Sequence, residues 1–485
     1  MKKNLMLSLM LAACSWIGFG ELQAQTTSAF EAPEMKTEIQ AMADEVISFQ
    51  LSDPDAANKT FSKLLRKVRN DKEQLVAVGA FFLNKNIYPC ARQCAQQVYT
   101  VDPAYIPGLM LSGHVAMLRK DWGTAGQKFD EILNYEPENI EALRLNARVY
   151  KYVNTIVAKE TLAKIIALNP KDVAAYKELG DIAYHDEDYK EAVKAYQSFF
   201  EQTPNPGVEE LRAGENYLLS LMNQKDFFTI KEMAAKLLPI DPKDLVVRRM
   251  KFFSEVETFD AASAESIKYL TEKQYDDSLY LYLDYLYASI YASELLNNDS
   301  TAIEYLRLAL QKDEAKADGY KKLANLLRKN KQPFEAIDVY KKYLSLLGDK
   351  VDEAEKFGLA NIYISAKELA ENTEDRMKYI LAGDKIFAEY MEAQPTNYRG
   401  PYFRATLWIT NPQEAEEKPR EYYAQAVELI GDNADYATHK KRALQYLMIY
   451  ALKTNDDATC KKYVEQVLAL DPADQLAIQI QKLLQ

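Results

Sequence analysis

Three histidines (His114, His185 and His439) and four cysteines (Cys14, Cys90, Cys94 and Cys460) are the whole stock of soft ligands and imidazole bases in this chain. The histidines are far apart, and no His/Cys pair stands at zinc-ligand spacing. Cys90 and Cys94 lie four residues apart and so share a face if that stretch is helical. Free cysteine packs as a small hydrophobe, and two such residues in a helix seam are the reading taken here. Asp186-Glu187-Asp188 lacks the spaced ligands and the glycine of a calcium loop and reads as a solvated turn. No glycine-rich phosphate loop, GxSxG or HExxH occurs. A catalytic site would have to be assembled from scattered carboxylates. The expectation is therefore no enzymatic activity, no metal and no cofactor.

What remains is binding, and composition bounds its kind. The chain has 485 residues, 48 % hydrophobic and 27 % charged, with only 16 glycines. That is too apolar for disorder and too long for one ordinary core, since single cores stop growing near ~250–300 residues. Several domains or a repeat array are the two solutions. A formal charge of −12 argues against nonspecific nucleic-acid binding, which needs a basic face.

The stretch Asp172 to Pro204, DVAAYKELGDIAYHDEDYKEAVKAYQSFFEQTP, supplies the unit of the array. Tyr176, Leu179, Gly180 and Ala183 fall on one predicted helix, and Ala192, Tyr196, Phe199 and Pro204 on a second. Prolines 103, 137, 170 and 204 recur in the same register. Small residues at the eighth and twentieth positions let the two helices approach, and the proline ends the second helix. This set resembles the tetratricopeptide repeat, whose period is about 34 residues.

The resemblance implies an all-α, right-handed superhelical solenoid of about eleven helix-turn-helix units with helical caps. The expected organisation is a signal peptide (1–25), a linker and capping pair (26–69) and regular repeats one to four (70–205). More degenerate repeats (206–472) and a capping helix (473–485) complete it. Within the degenerate part, helices are expected over 261–272 and over 279–296, the latter despite the period-two alternation of Leu279-Tyr-Leu-Tyr-Leu283.

Members of this family line a concave groove with fixed positions of each first helix. Here those are Met110, His114 and Met117, then Leu143, Ala147 and Tyr150, then Lys177, Asp181 and Tyr184. In a later repeat they are Asp318, Lys321, Asn325 and Arg328. Residues 312–331 carry seven Lys/Arg against three acids on an otherwise acidic chain. Lys321 and Asn325 stand where chaperone-binding members place two residues of a carboxylate clamp, with Arg399 and Arg404 as a third wall. The clamp's central asparagine has no clear match. Tyr280, Tyr282, Tyr285, Tyr287 and Tyr291 go all round one predicted helix, which would turn some of them to a groove able to take peptide or sugar; core packing is the default reading for them. The peptide-binding set expected is Lys177, Asp181, Tyr184, Lys321, Asn325 and Arg328.

The N-terminus reads as an export leader: Lys2 and Lys3, an apolar run from Leu5 to Gly20, then a polar break. That run is shorter than the ~20 residues of a membrane-spanning helix. Cleavage near Ala24 or Gln25 releases a soluble chain. Alternatively, Leu11-Ala12-Ala13-Cys14 resembles a bacterial lipobox, and Cys14 becomes lipidated. Trp16 to Phe19 continue the apolar core past Cys14, which weighs toward the first. Asp277-Ser278-Leu279 and Asp299-Ser300-Thr301 resemble an O-glycosylation motif of some Gram-negative envelopes.

The resemblance implies a non-enzymatic adaptor of the bacterial envelope, periplasmic or outer-membrane associated. It would hold a peptide or partner protein, with no nucleic acid and no membrane span. The alternative is an outer-membrane lipoprotein that binds a nutrient, glycan or peptide, alongside a transporter.

Overall fold

The computed structural model describes residues 32–151, 153–411 and 415–484, and among these residues it holds helices and turns without a strand. The expectations for the export leader and Cys14 lie outside the described residues. By its packing the chain divides into two compact units, Met1–Ala262 and Ser263–Gln485.

In the N-terminal unit, α1 (Thr37–Phe49) and α2 (Pro54–Val68) form a leading pair. The hairpins α3 (Lys72–Asn84)/α4 (Tyr88–Val101), α5 (Ile106–Leu118)/α6 (Trp122–Tyr135) and α7 (Ile140–Tyr150)/α8 (Thr155–Leu168) follow. Then come α9 (Val173–His185)/α10 (Tyr189–Gln202), α11 (Leu211–Gln224)/α12 (Phe227–Leu237), and α13 (Leu245–Glu257). The starts are written in the sequence. Asp53, Asp71, Asp121, Asn139, Asp172, Asp188, Asp226 and Asp244 each accept a backbone N–H three residues on, which is worth about 1 kcal/mol per helix. The turns inside hairpins pass through left-handed backbone at Asn86, Lys120, Glu187 and Lys225, each ending its first helix.

Packing follows from small residues in the seams. Gly180 faces the ring of Tyr196, and a Cβ there would stand 2.7 Å from two ring carbons. Gly113 faces Phe129 in the same way, at 2.4 Å. Only glycine lets the paired helices close over these fully buried rings. Each helix packs on its chain neighbours, and successive first helices also touch: α1 on α3, α3 on α5, α9 on α11 and α11 on α13. These first helices make an inner row.

The C-terminal unit repeats this pattern with different lengths. After α14 (Ser263–Ser266) and α15 (Lys268–Thr271) come α16 (Tyr282–Ile290) and α17 (Asp299–Lys312). The pairs α18 (Ala317–Lys329)/α19 (Pro333–Leu347), α20 (Glu353–Leu369)/α21 (Thr373–Ala393) and α22 (Arg399–Trp408)/α23 (Glu417–Ile430) follow. α24 (Ala437–Lys453), α25 (Asp457–Leu470) and α26 (Gln475–Leu483) end the unit. The α20/α21 pair has helices of 17 and 21 residues, longer than the 13–15 of its neighbours α18 and α19.

Two helix expectations are corrected. The helix expected over 261–272 is broken at Ile267, where ψ of −16° brings Leu270 N onto the Ile267 carbonyl at 3.0 Å, a three-residue closure. The helix expected over 279–296 begins only at Tyr282, and Tyr280 and Leu281 are extended. Tyr280 Oη donates to the Tyr269 carbonyl (2.8 Å), and Asp284 binds both Leu281 N (2.7 Å) and Tyr269 Oη (2.6 Å). These bonds hold the strand-like start out of the helix, and residues 291–295 leave it as a π turn. Of the two readings for the tyrosines here, core packing holds and the groove does not: Tyr280, Tyr282, Tyr285, Tyr287 and Tyr291 are all buried.

Candidate functional site

Several charges on the helices are already spent on the next repeat. Lys72 pairs with Asp102 (2.7 Å), Lys231 with Asp260 (3.0 Å), Arg307 with Glu335 (2.7 Å) and Lys441 with Asp471 (2.7 Å). Each partner lies about one repeat further along the chain. Pairs of this exposure contribute at most ~1 kcal/mol each. Their use here is to remove cations and carboxylates from the list of free binding groups.

Two N-terminal members of the expected site are spent or buried within their own hairpin. Asp181 accepts the Tyr196 hydroxyl at 2.6 Å, and Asn216 reaches the same hydroxyl at 3.4 Å. Tyr184 is buried, edge-on to His185 and Tyr189. Lys177 is half-buried on α9. Met110, His114, Leu143 and Ala147 are buried, and Tyr150 Oη is held by Asp130 at 2.7 Å.

In the C-terminal unit the basic segment 312–331 is largely neutralised. Lys312 binds Asp277 (2.6 Å), Lys316 binds Asp313 (3.2 Å), and Lys329 binds Asp299 (2.9 Å). Lys321 puts its ammonium on both oxygens of Glu355 (2.7 and 3.0 Å) and over the Tyr343 ring at 5.2 Å. Burial would raise the Glu355 carboxyl, but the hydrogen bonds from Lys321 and Tyr343 outweigh it and hold it below the usual range. Asn325 and Arg328 remain exposed further along the same helix, in no hydrogen bond or ion pair among the described residues.

Arg328, an expected groove residue, opens a depression whose other lining residues the sequence did not single out. With Asn361, Ile364 and Ser365 of α20 and Phe403 and Thr406 of α22 it lines a depression of about 320 Å³ across three successive inner helices. Its floor is apolar. Ile364 belongs to a core with Ala360, Ile380, Phe387 and Leu407, and Phe403 meets Phe357 edge-on at 5.3 Å. Its walls are polar: Asn361 spends only its amide, on the Phe357 carbonyl at 3.1 Å. A second depression of about 390 Å³ shares Thr406 and is lined also by Lys367, Glu368, Arg376, Ile409 and Thr410.

Arg399 is exposed at the start of α22. Arg404 points into the seam, where it grips Asp384 through two bonds (2.7 and 3.0 Å) and lies over the Tyr422 ring. Trp408 Nε1 adds a third bond to Asp384 at 2.6 Å, so this carboxyl stays low despite burial. The structure therefore leaves Arg404 no part in a groove wall. His439 sits among Tyr398, Tyr402 and Phe403. Burial first, then Arg442 and Arg399, holds it below the usual histidine range.

Among the described residues no His, Cys, Asp and Glu side chains gather as a metal set, and no helix is long and apolar enough to cross a membrane. Cys90, Cys94 and Cys460 are free thiols, all buried.

Antiparallel helix pairs recurring along the chain, glycine seams under aromatic rings and an inner row of first helices define a tetratricopeptide-repeat fold. No protein-family model matches the chain, and no curated protein does. Among solved structures, it is similar to the C-terminal part of a TPR repeat-containing protein from Cytophaga hutchinsonii. The identity is 16 % over 62 % of this chain and 98 % of that one, with a TM-score of 0.38. A tetratricopeptide repeat protein from Parabacteroides merdae is 15 % identical over 53 % of this chain and 98 % of its own (TM-score 0.33). YrrB, described as a TPR protein with an unusual peptide-binding site, is 18 % identical over 39 % and 95 % (TM-score 0.34).

Proposed function

We propose that this chain is a non-catalytic adaptor of the bacterial envelope that holds an extended segment of a partner protein along the inner helices of its C-terminal unit. One observation carries the reading. The groove between Arg328, Ser365 and Phe403 joins an apolar floor to polar groups that the fold has not used, while Asp181 and Tyr184 at the expected N-terminal positions are spent or buried. An apolar floor gives affinity, and unspent donors along the edge fix a peptide's register. The envelope setting rests on the leader-like residues 1–25.

The test is capture of partner by full-length protein from envelope extract, comparing Arg328→Glu with Lys385→Glu, a reversal on the exposed face of α21. The reading predicts about tenfold weaker capture (~1.4 kcal/mol) for Arg328→Glu and none for Lys385→Glu. Equal capture by both variants and the parent overturns the groove. For the setting, the mass of the mature N-terminus decides: a chain retaining residues 1–25 overturns export. A diacylglyceryl group on Cys14 would place the protein on a membrane.

A further inference from the structure

The depression beyond Thr406 has a composition that the fold alone does not explain. Lys367 lies in the last turn of α20 with only 6 % of its surface exposed. Its ammonium donates to the carbonyls of Thr406 (3.2 Å) and Ile409 (3.0 Å), at the end of α22. Those carbonyls are the negative end of a helix and offset part of the charge. Two of the three N–H bonds are thereby used, and among the described residues no carboxylate lies within ion-pair distance of Lys367.

Arg376, from the first turn of α21, lines the same depression. It spends one bond, at 3.3 Å, on the Ala370 carbonyl and pairs with no acid among the described residues. Two cations thus face one space, and burial together with Arg376 pushes the Lys367 ammonium toward losing its proton. Of the acids nearby, Glu368 is exposed at the rim, and Glu416 is occupied by Thr410 N at 2.9 Å and by the Thr410 hydroxyl. A buried charge without a counter-ion costs several kcal/mol, so an arrangement like this one favours an anion from outside.

We propose that Lys367 and Arg376 form a binding site for a single carboxylate, presented by the segment that occupies the neighbouring groove. The inference rests on that groove reading and adds the chemistry of the partner: a free C-terminus or an acidic side chain that reaches past Thr406. A carboxylate fits on the unspent donors, the third Lys367 N–H and the Arg376 guanidinium, which pairs with no acid among the described residues. A dianionic phosphate is repelled more strongly than a single carboxylate by Glu368 and Glu416, whose charges both act on Lys367. It also fits on shape, since the guanidinium fork takes two oxygens in one plane while the ammonium supplies one proton. The volume, about 390 Å³, is within the ~300–1,000 Å³ of small-ligand sites. The site differs from Lys321 and Asn325, where Glu355 already fills the place of a ligand.

The experiment is a titration of the full-length protein with N-acetylglycine, N-acetylglycinamide and inorganic phosphate, read from amide shifts of α20 and α22. N-acetylglycine should saturate, and the neutral amide should bind at least tenfold more weakly. Arg376→Gln, which removes a half-buried charge from the lining, should weaken N-acetylglycine at least tenfold, and Lys367→Met should abolish it. Should Lys367→Met fail to fold, Arg376→Gln alone decides. Equal binding of acid and amide, tighter binding of phosphate, or an unchanged Arg376→Gln overturns the carboxylate site. N-acetylglycine binding without any effect of Arg328→Glu on capture would sink the groove while leaving this site. Capture that needs Arg328 with no N-acetylglycine binding does the reverse.

Discussion

Replacing Gly180 by alanine puts one methyl group into the tightest seam of the most regular repeat. The new Cβ would stand 2.7 Å from Cδ1 and Cε1 of Tyr196 and 3.0 Å from Cγ, well inside van der Waals contact. The ring has no room to yield. It is fully buried, and its hydroxyl is tied to Asp181 at 2.6 Å, so a tilt that clears the methyl lengthens that bond. Overpacking a filled core costs about 1–3 kcal/mol, and a weakened bond to a charged acceptor adds to it. Taking ~2 kcal/mol, melting of the N-terminal unit should fall by roughly 4–8 °C. Gly123→Ala is the internal control: nothing lies within 4 Å of a Cβ there, in the first turn of α6. That change should be neutral or stabilising by up to about 1 kcal/mol, because alanine loses less backbone entropy on folding. Calorimetry or urea unfolding of the three proteins reads both signs. A Gly180→Ala protein as stable as the parent, or equal losses at both positions, would refute the seam argument.

Three further outcomes are expected. Glu215 has a side chain only 12 % exposed and shares a hydrogen bond with Asp244. Burial and then that neighbour push its carboxyl up to about 7, against a salt bridge from Arg212. Since the folded state holds this proton more tightly than the unfolded chain, the contribution is complete below about pH 4.5. It is lost as pH rises toward 7, at up to ~1.4 kcal/mol per pH unit. Urea midpoints of the parent should therefore fall between pH 5 and 8 while those of Glu215→Gln fall less; parallel pH profiles would contradict this. Lys321→Glu sets two carboxylates against each other at Glu355 and should destabilise the C-terminal unit by about 1–3 kcal/mol without weakening partner capture. Loss of capture in a folded Lys321→Glu protein would mean that this lysine touches the partner. Burial holds the Cys90 thiol up at about 11 and raises Cys94 further, so a thiol reagent at pH 8 should label both only on unfolding.

The scaffold was legible where residue types are forced by packing. Gly180, Ala192, Tyr196 and Pro204 are the few choices that let two helices close and then stop, so residues 172–204 disclose the hairpin. Helix starts were equally readable, because an aspartate or asparagine cap acts within three residues. The segment 261–296 was not, since what breaks it is tertiary: Tyr280 and Asp284 bond to Tyr269, eleven and fifteen residues away. The family positions pointed to the inner helices but could not say which of their charges are spent. Lys321 meets its acid 34 residues later, one repeat along. Lys367 was missed because a lysine in the last turn of a helix ordinarily reaches water. The one hint was length, since α20 and α21 outgrow the repeat and carry Lys367 and Arg376 past its usual end.

The most direct test of a partner groove on the inner helices is site-resolved cross-linking in the intact envelope. A photoreactive amino acid at Ser365, on the wall of the groove, is compared with the same residue at Lys385, exposed on α21 of the same unit. The account predicts a discrete cross-linked partner from position 365, diminished by Arg328→Glu, and none from position 385. Identical products from both positions, or no product from 365 while 385 yields one, would contradict it.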